Sequence, residues 1–389
     1  MGIPLETVAG ANAGRSRDHN RRMVLGHIRA AGHMGRAEIA RTSGLSTQAV
    51  SNIIADLHGD GLLVEQGRIS AGRGLPALQY ALNPAGGYAL GVEIRPDALF
   101  VAILDLSGET VLSSRIDLPD NSPDPVTQAI TTAIAQALKE TRISPASLMG
   151  AGIVMPGPFG TTGSSDGKSE LPAWRDVDAR AWFEDALNLP VIVENDANAA
   201  AMSEHISGVA KGLRTYAYLY FGAGLGLGLV MNGRLYRGAF GNAGEIGHVA
   251  FSDKAGTSLI EARVSRVSVQ NHLDKAGVSV RSGEELTALY DRAHPMLMAW
   301  LDQAHAPLSY AISLIENFFD PETIILGGAL PDPLIDHLID HVALSANSVS
   351  DRTGRQTPRL LRGASGRLSA TLGGAGLVLN RAFTPQITA

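Results

Sequence analysis

A carboxylate and an imidazole stand three residues apart in Gly241-Asn242-Ala243-Gly244-Glu245-Ile246-Gly247-His248, and glycines flank both. A carboxylate accepts hydrogen bonds and a neutral imidazole donates or accepts them, so the pair suits neighbouring hydroxyls on a small polyol. The glycines let a ligand approach the backbone closely. The spacing alone also fits a glycine-rich turn whose Glu and His are merely solvated. The stretch ahead of it must position the pair. Tyr216 to Val230 reads as two β-rich apolar segments around the bend Gly222-Ala223-Gly224-Leu225-Gly226-Leu227-Gly228. Asn232-Gly233 then supplies a type I′ hairpin turn, because both residues accept positive φ.

A different chemistry occupies the N-terminal segment. Met1 to Asn83 carries nine Arg and no Lys against six acidic residues, a charge of +3 within a chain of −6, which leaves −9 on the remainder. A basic head on an acidic body suggests a polyanion-binding module. Asn20 to Ala31 has a helical apolar face, Gly32 stops it, and Arg36 to Ser43 is a short second helix. Gly44-Leu45 turns the chain, and Ser46 caps a third helix over Thr47 to His58 with Val50, Ile53, Ile54 and Leu57 inward. That order is a helix-turn-helix. The opposite face of the third helix offers Thr47, Gln48, Ser51 and Asn52, side chains suited to base edges and phosphates in a major groove. Strands at Leu62 to Val64 and Leu78 to Leu82 flank a Gly-rich loop with Arg68 and Arg73, a wing for phosphate or minor-groove contact. With Arg36 at the start of the second helix, these are the expected contacts of a winged helix-turn-helix with duplex DNA.

The chain of 389 residues is long enough for two or three domains. It is 45% hydrophobic and 18% charged, the composition of a soluble globular protein. No apolar run reaches the roughly 18 residues of a membrane span, and Met1 to Gly14 lacks a signal-peptide core. Cysteine is absent, which excludes disulfides and thiolate metal sites and fits a cytoplasmic location.

Beyond the boundary Asn83-Pro84-Ala85-Gly86-Gly87, strands at Ala89 to Ile94, Leu99 to Leu106 and Val111 to Leu118 lead into alternating helices and strands. Helices are expected at Pro125 to Glu140, Trp174 to Ala186 and Ala306 to Phe319, and strands at Gly150 to Met155, Val191 to Val193 and Thr323 to Leu326. Glu194-Asn195-Asp196-Ala197-Asn198 opens an Ala-rich helix. The pattern gives a mixed α/β fold. The expected division is a tail at 1–14, the winged module at 15–83, a first α/β lobe at 84–200 and a second at 201–364. A C-terminal helix at about 365–389 packs back on the first lobe.

Taken together, Pro156-Gly157-Pro158, Glu194 to Asn198, Gly233-Arg234-Leu235-Tyr236-Arg237-Gly238, Gly244 to His248 and Ile325-Leu326-Gly327-Gly328 resemble the ROK family of repressors, open reading frames and kinases. The match covers essentially the whole chain, including the winged helix of the repressor branch. The resemblance implies the actin-like, ribonuclease-H-like ATPase architecture of two α/β lobes around a cleft. It implies that Asn195, Asp196, Glu245 and His248 line a sugar site, with Glu261 as a further member. It also implies an operator in duplex DNA, a sugar or sugar-derivative effector and a homodimer or homotetramer.

The chain departs from that family's kinases where they hold ATP. Glu93-Ile94-Arg95-Pro96-Asp97 replaces Asp-x-Gly-x-Thr, and proline removes a backbone donor. Ala223 replaces a Thr, Leu227 is bulky and Ala329 replaces a Gly. The expectation is therefore a regulator rather than an enzyme, with no cofactor, and with Asp196 accepting from a ligand hydroxyl instead of acting as general base. The family's zinc ligands are missing between Val249 and Ile260, where Ser252-Asp253-Lys254 and Thr257-Ser258 read as a plain loop and no metal is expected. Carboxylates dominate the set, so a neutral or weakly charged sugar is expected unless Arg or Lys reaches in. The best reading is a sugar-responsive repressor of carbohydrate-metabolism genes. An ATP-dependent sugar kinase with a DNA-binding arm, and a regulator answering a non-sugar ligand, are the alternatives.

Overall fold

Two five-stranded sheets built on one plan form the body of the protein. The computed structural model describes residues 13–69, 77–157, 171–254 and 256–383. The first sheet runs in the order Thr110–Asp117, Ala98–Asp105, Tyr88–Ile94, Leu148–Met155, Val191–Asn195. Its first three strands are antiparallel neighbours and the rest pair in parallel. The second sheet repeats this with Arg234–Leu235, Leu225–Met231, Tyr216–Phe221, Ile324–Gly328 and Leu360–Arg362. Asn232 and Gly233, at φ 54 and 75, make the tight turn their types predict. Tyr88–Ile94 is buried along almost its whole length because helices cover both faces of its sheet. Among the described residues no helix is long and apolar enough to cross a membrane.

Two helices lie between the sheets. Asp196–Ile206 follows directly from the strand Val191–Asn195 and rests on the second sheet. The C-terminal helix Ser369–Phe383 covers Tyr88–Ile94 and Leu148–Met155 of the first. They meet closely: a Cβ on Gly373 would lie 1.7 Å from the backbone oxygen of Ala199, and one on Gly376 would lie 2.5 Å from the side-chain Cδ1 of Ile206. Gly91 and Gly152 admit the same helix on the sheet side, where a Cβ would sit 2.0 Å from Thr371 O or Gly374 O. Contact this close leaves neither helix free to slide alone. The fully buried Glu204 fastens the pair further, accepting from Val209 N, Ala364 N and Ser365 N. Backbone donors offset the burial of its charge.

The N-terminal module folds as a winged helix-turn-helix. Its helices are Ala13–Ala31, Arg36–Ser43 and Thr47–Gly59, and its sheet runs in the order His33–Gly35, Ala77–Leu82, Leu63–Ile69. Gly44, left-handed at φ 72, ends the second helix, and Ser46 caps the third through Ala49 N. The core of Val24, Leu25, Ile28, Val50, Ile54 and Leu57 continues into Ala375, Leu379 and Phe383 of the C-terminal helix. Arg29 lies over the Phe383 ring at 4.8 Å. The module is therefore docked on the body. The segment joining them is a single 3₁₀ turn, Pro84–Gly86, held by Asn83 Nδ2 donating to Gly61 O at 2.7 Å.

Several elements depart from the sequence reading. The helix expected over Trp174 to Ala186 is a 3₁₀ turn at Pro172–Trp174 and a helix at Ala179–Leu187, because Asp178 accepts from Arg180 N and Ala181 N and starts the helix afresh. The helix expected from Ala306 begins at Pro295, and Pro307 sits inside it. Ser252-Asp253 and Thr257-Ser258, expected in a plain loop, lie in the hairpin of Ala250–Asp253 with Gly256–Leu259. The first helix begins at Ala13, ahead of the expected Asn20, and residues 1–12 of the expected tail lie outside the described residues. The division placed between 200 and 201 falls inside Asp196–Ile206. Arg68 lies in the strand Leu63–Ile69, with its side chain outside the described residues, as are Arg73, Pro158 and residues 384–389.

Candidate functional site

The strand Val191–Asn195 ends at the mouth of the cleft between the two lobes, and the helix Asp196–Ile206 starts there. Asn195 Oδ1 caps this helix, accepting from Ala197 N at 2.8 Å and Asn198 N at 3.4 Å. Its amide nitrogen turns toward Gly157, where a Cβ would meet it at 2.9 Å. Asp196 Oδ1 also accepts from Ala197 N at 2.8 Å, and the helix N-terminus favours its negative charge. Behind them Glu194, 4% exposed, accepts from Asn198 Nδ2 at 2.9 Å and from Arg237 Nε at 2.8 Å. That ion pair ties the end of the first sheet to the segment following the hairpin of the second.

Glycines make room for the acids of the other lobe. Glu245 precedes the 3₁₀ turn Ile246–His248, and Glu261 sits in the turn Ile260–Ala262 ahead of the helix Arg266–Lys275. A Cβ on Gly224 would lie 2.4 Å from Glu261 Oε2, and one on Gly222 would lie 3.4 Å from Asp196 Oδ2. Gly157 of the first lobe approaches Glu245 of the second, with 3.5 Å between its would-be Cβ and Oε1. His248 Nε2 stands 3.8 Å from Glu245 Oε2 and 4.0 Å from Glu261 Oε1. The ring lies between two carboxylates without a hydrogen bond to either. Burial raises the pKa of Glu245 above the ordinary value, His248 works against that shift and Glu261 adds to it.

Asn195, Asp196, Glu245, His248 and Glu261 thus line one cavity of about 1580 Å³. Carboxylate acceptors, an amide donor and an imidazole of either role form a set matched to vicinal hydroxyls. Sequence reasoning missed the rest of the wall. Trp174 and Arg175 border it on the first lobe, and Asn271, His272 and Lys275 border it from the helix Arg266–Lys275. Cations therefore do reach the cleft. For Asn271 and Lys275 the sequence signal is the four-residue step from Val267 through Asn271 to Lys275. The hairpin that follows His248 is closed by Ser252 and Thr257 hydroxyls at 2.8 Å and by Arg263 gripping Asp253 at 3.2 and 3.3 Å.

On the other side of Asp196 a hydrogen-bonded network spans both lobes. Arg95 Nε donates to Glu93 Oε1 at 2.6 Å, Tyr220 Oη to the same oxygen at 3.2 Å, and Thr371 Oγ1 to Glu93 Oε2 at 2.6 Å. The Arg95 guanidinium also lies 4.2 Å from the Phe100 ring centroid. The cavity left among these groups measures about 20 Å³.

On the third helix of the N-terminal module, Thr47, Gln48 and Asn52 are exposed and Ser51 is half-buried. Gln48 Nε2 donates to Asn52 Oδ1 at 3.0 Å, so this polar pair is prearranged. Arg36 donates to Tyr80 Oη at 2.5 Å and lies over its ring, which commits part of that guanidinium to the module's own sheet.

Comparison with known proteins adds to this geometry. A xylose repressor from Bacillus spizizenii is 27% identical over 281 residues, 66% of this chain and 72% of the relative. A glucokinase from Halalkalibacterium halodurans is 28% identical over 311 residues, 73% of this chain and 90% of the relative. A solved ROK family transcriptional regulator, described as a homolog of the E. coli MLC protein, superposes with a TM-score of 0.72 at 23% identity. It covers 95% of this chain, and this chain covers 97% of it. The ROK family model matches residues 89–381, both lobes and the C-terminal helix between them, and the chain belongs to the ROK family.

Proposed function

We propose that the chain is a DNA-binding transcriptional repressor of carbohydrate-metabolism genes, whose hold on its operator is set by a sugar or sugar derivative in the cleft. One observation carries this reading. Asn195 and Asp196 from one lobe and Glu245, His248 and Glu261 from the other meet in a single cleft, and the helix beginning at Asp196 is locked to the C-terminal helix that shares a core with the winged module. A sugar gripping both lobes favours their closed arrangement, and only that difference in affinity moves the equilibrium. A coupling of about 1–3 kcal/mol changes operator affinity roughly 5- to 150-fold, enough for a switch. Thr47, Gln48, Ser51 and Asn52 read base edges, while Arg36, Arg68 and Arg73 contact the backbone, in a homodimer or homotetramer on a two-fold operator. The similarity to a xylose repressor and to a solved ROK transcriptional regulator supports the assignment.

Phosphoryl transfer is not part of this function. The glucokinase relative makes the question pertinent. Arg95-Pro96, Ala223, Leu227 and Ala329 alter the segments with which the family's kinases hold ATP, and the network of Glu93, Arg95, Tyr220 and Thr371 occupies the place of the first of them. Asp196 then acts as an acceptor for a ligand hydroxyl. A coupled ADP-release assay with a sugar that binds checks this, and turnover near 1 s⁻¹, the low end of usual enzyme rates, overturns it.

The test of the whole reading uses the full chain to select fragments from random duplex DNA, followed by titration of sugars into the complex. Asp196→Ala and Glu245→Ala are expected to abolish the sugar response while unliganded DNA binding persists. Failure to enrich any sequence refutes the DNA assignment. Variants that respond like the parent place the effector outside the cleft.

A further inference from the structure

The cleft is longer than its five acidic and polar residues require. The helix Arg266–Lys275 borders it with Val267, Ser268, Asn271, His272 and Lys275. Steps of one and three residues put these on one face, from the first turn to the last. From Val267 to Lys275 that face rises about 12 Å, a little more than two turns, whereas one pyranose ring is about as long as a single turn of roughly 5.4 Å. Glu261 lies just ahead of the helix, so a sugar unit held by Asp196, Glu245, His248 and Glu261 occupies only that end. The cavity of about 1580 Å³ also exceeds the roughly 300–1,000 Å³ of ordinary small-molecule sites.

The remaining wall mixes apolar side chains, Trp174, Val177, Val267 and Trp300 among them, with polar ones. Asn271 and Lys275 are exposed, Gln303 joins them from the helix Pro295–Phe319, and Arg175 borders the cleft from the first lobe. His272 Nε2 is buried without a hydrogen-bond partner, and a buried polar atom in that state wants one. An apolar extension of the ligand would strand these groups, whereas hydroxyls would pair with them. We propose that the effector is an oligosaccharide of two or three units. Its terminal unit is read by the acidic cluster, and the next is held by Asn271, His272 and Lys275. This rests on the reading of the cleft as a sugar site.

Calorimetric titration of the full chain with matched series tests it: xylose, xylobiose and xylotriose; glucose and cellobiose; N-acetylglucosamine and its β-1,4 dimer. In one series the dimer is expected to bind at least tenfold more tightly than the monomer. The double variant Asn271→Ala/Lys275→Ala, both at exposed positions, should reduce the dimer's affinity to the monomer's and leave the monomer's unchanged. Asp196→Ala should abolish both. A thermal melt of each unliganded variant verifies that it is folded. Equal affinities for monomer and dimer in every series that binds, or an equal loss for both in the double variant, overturns the extended site while the sugar reading stands. Binding of no member of any series overturns the sugar reading and the proposal with it.

Discussion

Replacing Gly373 by Ala adds one carbon to the C-terminal helix at the point where it crosses Asp196–Ile206. In an open helix this change gains about 1 kcal/mol, because Gly loses more backbone entropy than Ala. Here the new Cβ would lie 1.7 Å from Ala199 O, and carbon–oxygen contacts below 3.0 Å do not occur, so the helices must part by at least 1.3 Å. A backbone oxygen inside a helix cannot rotate away. Overpacking costs about 1–3 kcal/mol, and a site without a yielding side chain belongs at the upper end, so the net loss is about 2 kcal/mol. For a cooperative unit of 150–250 residues this lowers Tm by roughly 4–8 °C.

Gly376→Ala is the control. Its Cβ meets Ile206 Cδ1 at 2.5 Å, the far end of a flexible side chain. Displacing that side chain costs on the order of 0.5–1.5 kcal/mol, which the gain in helix propensity roughly cancels. Thermal unfolding followed by circular dichroism should leave Gly376→Ala near the parent and move only Gly373→Ala. The proposed coupling adds a second readout: sugar-induced release of DNA should weaken in Gly373→Ala and persist in Gly376→Ala. If Gly373→Ala is as stable as the parent, the close packing of the two helices is refuted, and with it the route from cleft to winged module.

Arg237→Ala should lower both Tm and ligand affinity, since it leaves the buried Glu194 without its cation. The loss should stay below the roughly 3–5 kcal/mol of a fully buried pair, because the Arg237 side chain is 48% exposed. Burial raises the pKa of Glu245, so its ionised form disfavours folding above that pKa and the penalty disappears as pH falls through it. Glu245→Gln should therefore stabilise the unliganded chain at neutral pH but not near pH 4, as paired thermal melts at the two pH values would record. His305 and His337 have pKa values lowered by burial and then by neighbouring imidazoles, only partly offset by Asp302 and, for His337, Asp340, and His337 stacks on His341 at 4.1 Å. Their unfolded forms titrate near 6.5, so stability should be full above that pH and fall below it, and His337→Leu should flatten the slope of melts between pH 7 and 5. Gln48→Ala should change the selected DNA sequence without changing the salt dependence of binding, a distinction that titrations at several ionic strengths would make.

Local chemistry made much of this legible from the sequence. Gly44, Ser46 and the apolar stripe from Val50 to Leu57 fix the helix-turn-helix through rules that act within a few residues, as Asn232-Gly233 does for its hairpin. What stayed hidden depends on tertiary approach. Asn271 and Lys275 look like solvated helix residues until the first lobe is placed across from them. The stop and restart around Asp178, and the proline within Pro295–Phe319, override the periodicity that suggested other boundaries. Arg95 and Pro96 read in the sequence only as the loss of a phosphate loop. The structure shows what replaced it, a buried network joining Glu93, Arg95, Tyr220 and Thr371 across both lobes and the C-terminal helix.

The segment Glu194 to Asn198 shows why a ligand in the cleft and the position of a helix need not be separate events. Asn195 uses its oxygen as the helix cap and presents its nitrogen toward Gly157 and the cleft, so a ligand that reorients this amide disturbs the first turn. Asp196 is bound to Ala197 N by the same oxygen that Gly226 approaches, and Glu194 holds Asn198 with one oxygen and Arg237 of the other lobe with the other. A hydroxyl competing for Asp196 must therefore act on a turn already tied to both lobes. Because Ala199, one residue further on, touches Gly373 backbone to backbone, displacement of that turn passes to the C-terminal helix without any flexible side chain to absorb it. The physical requirement for a switch is two discrete arrangements of such a rigid pair, each favoured by a different ligand state.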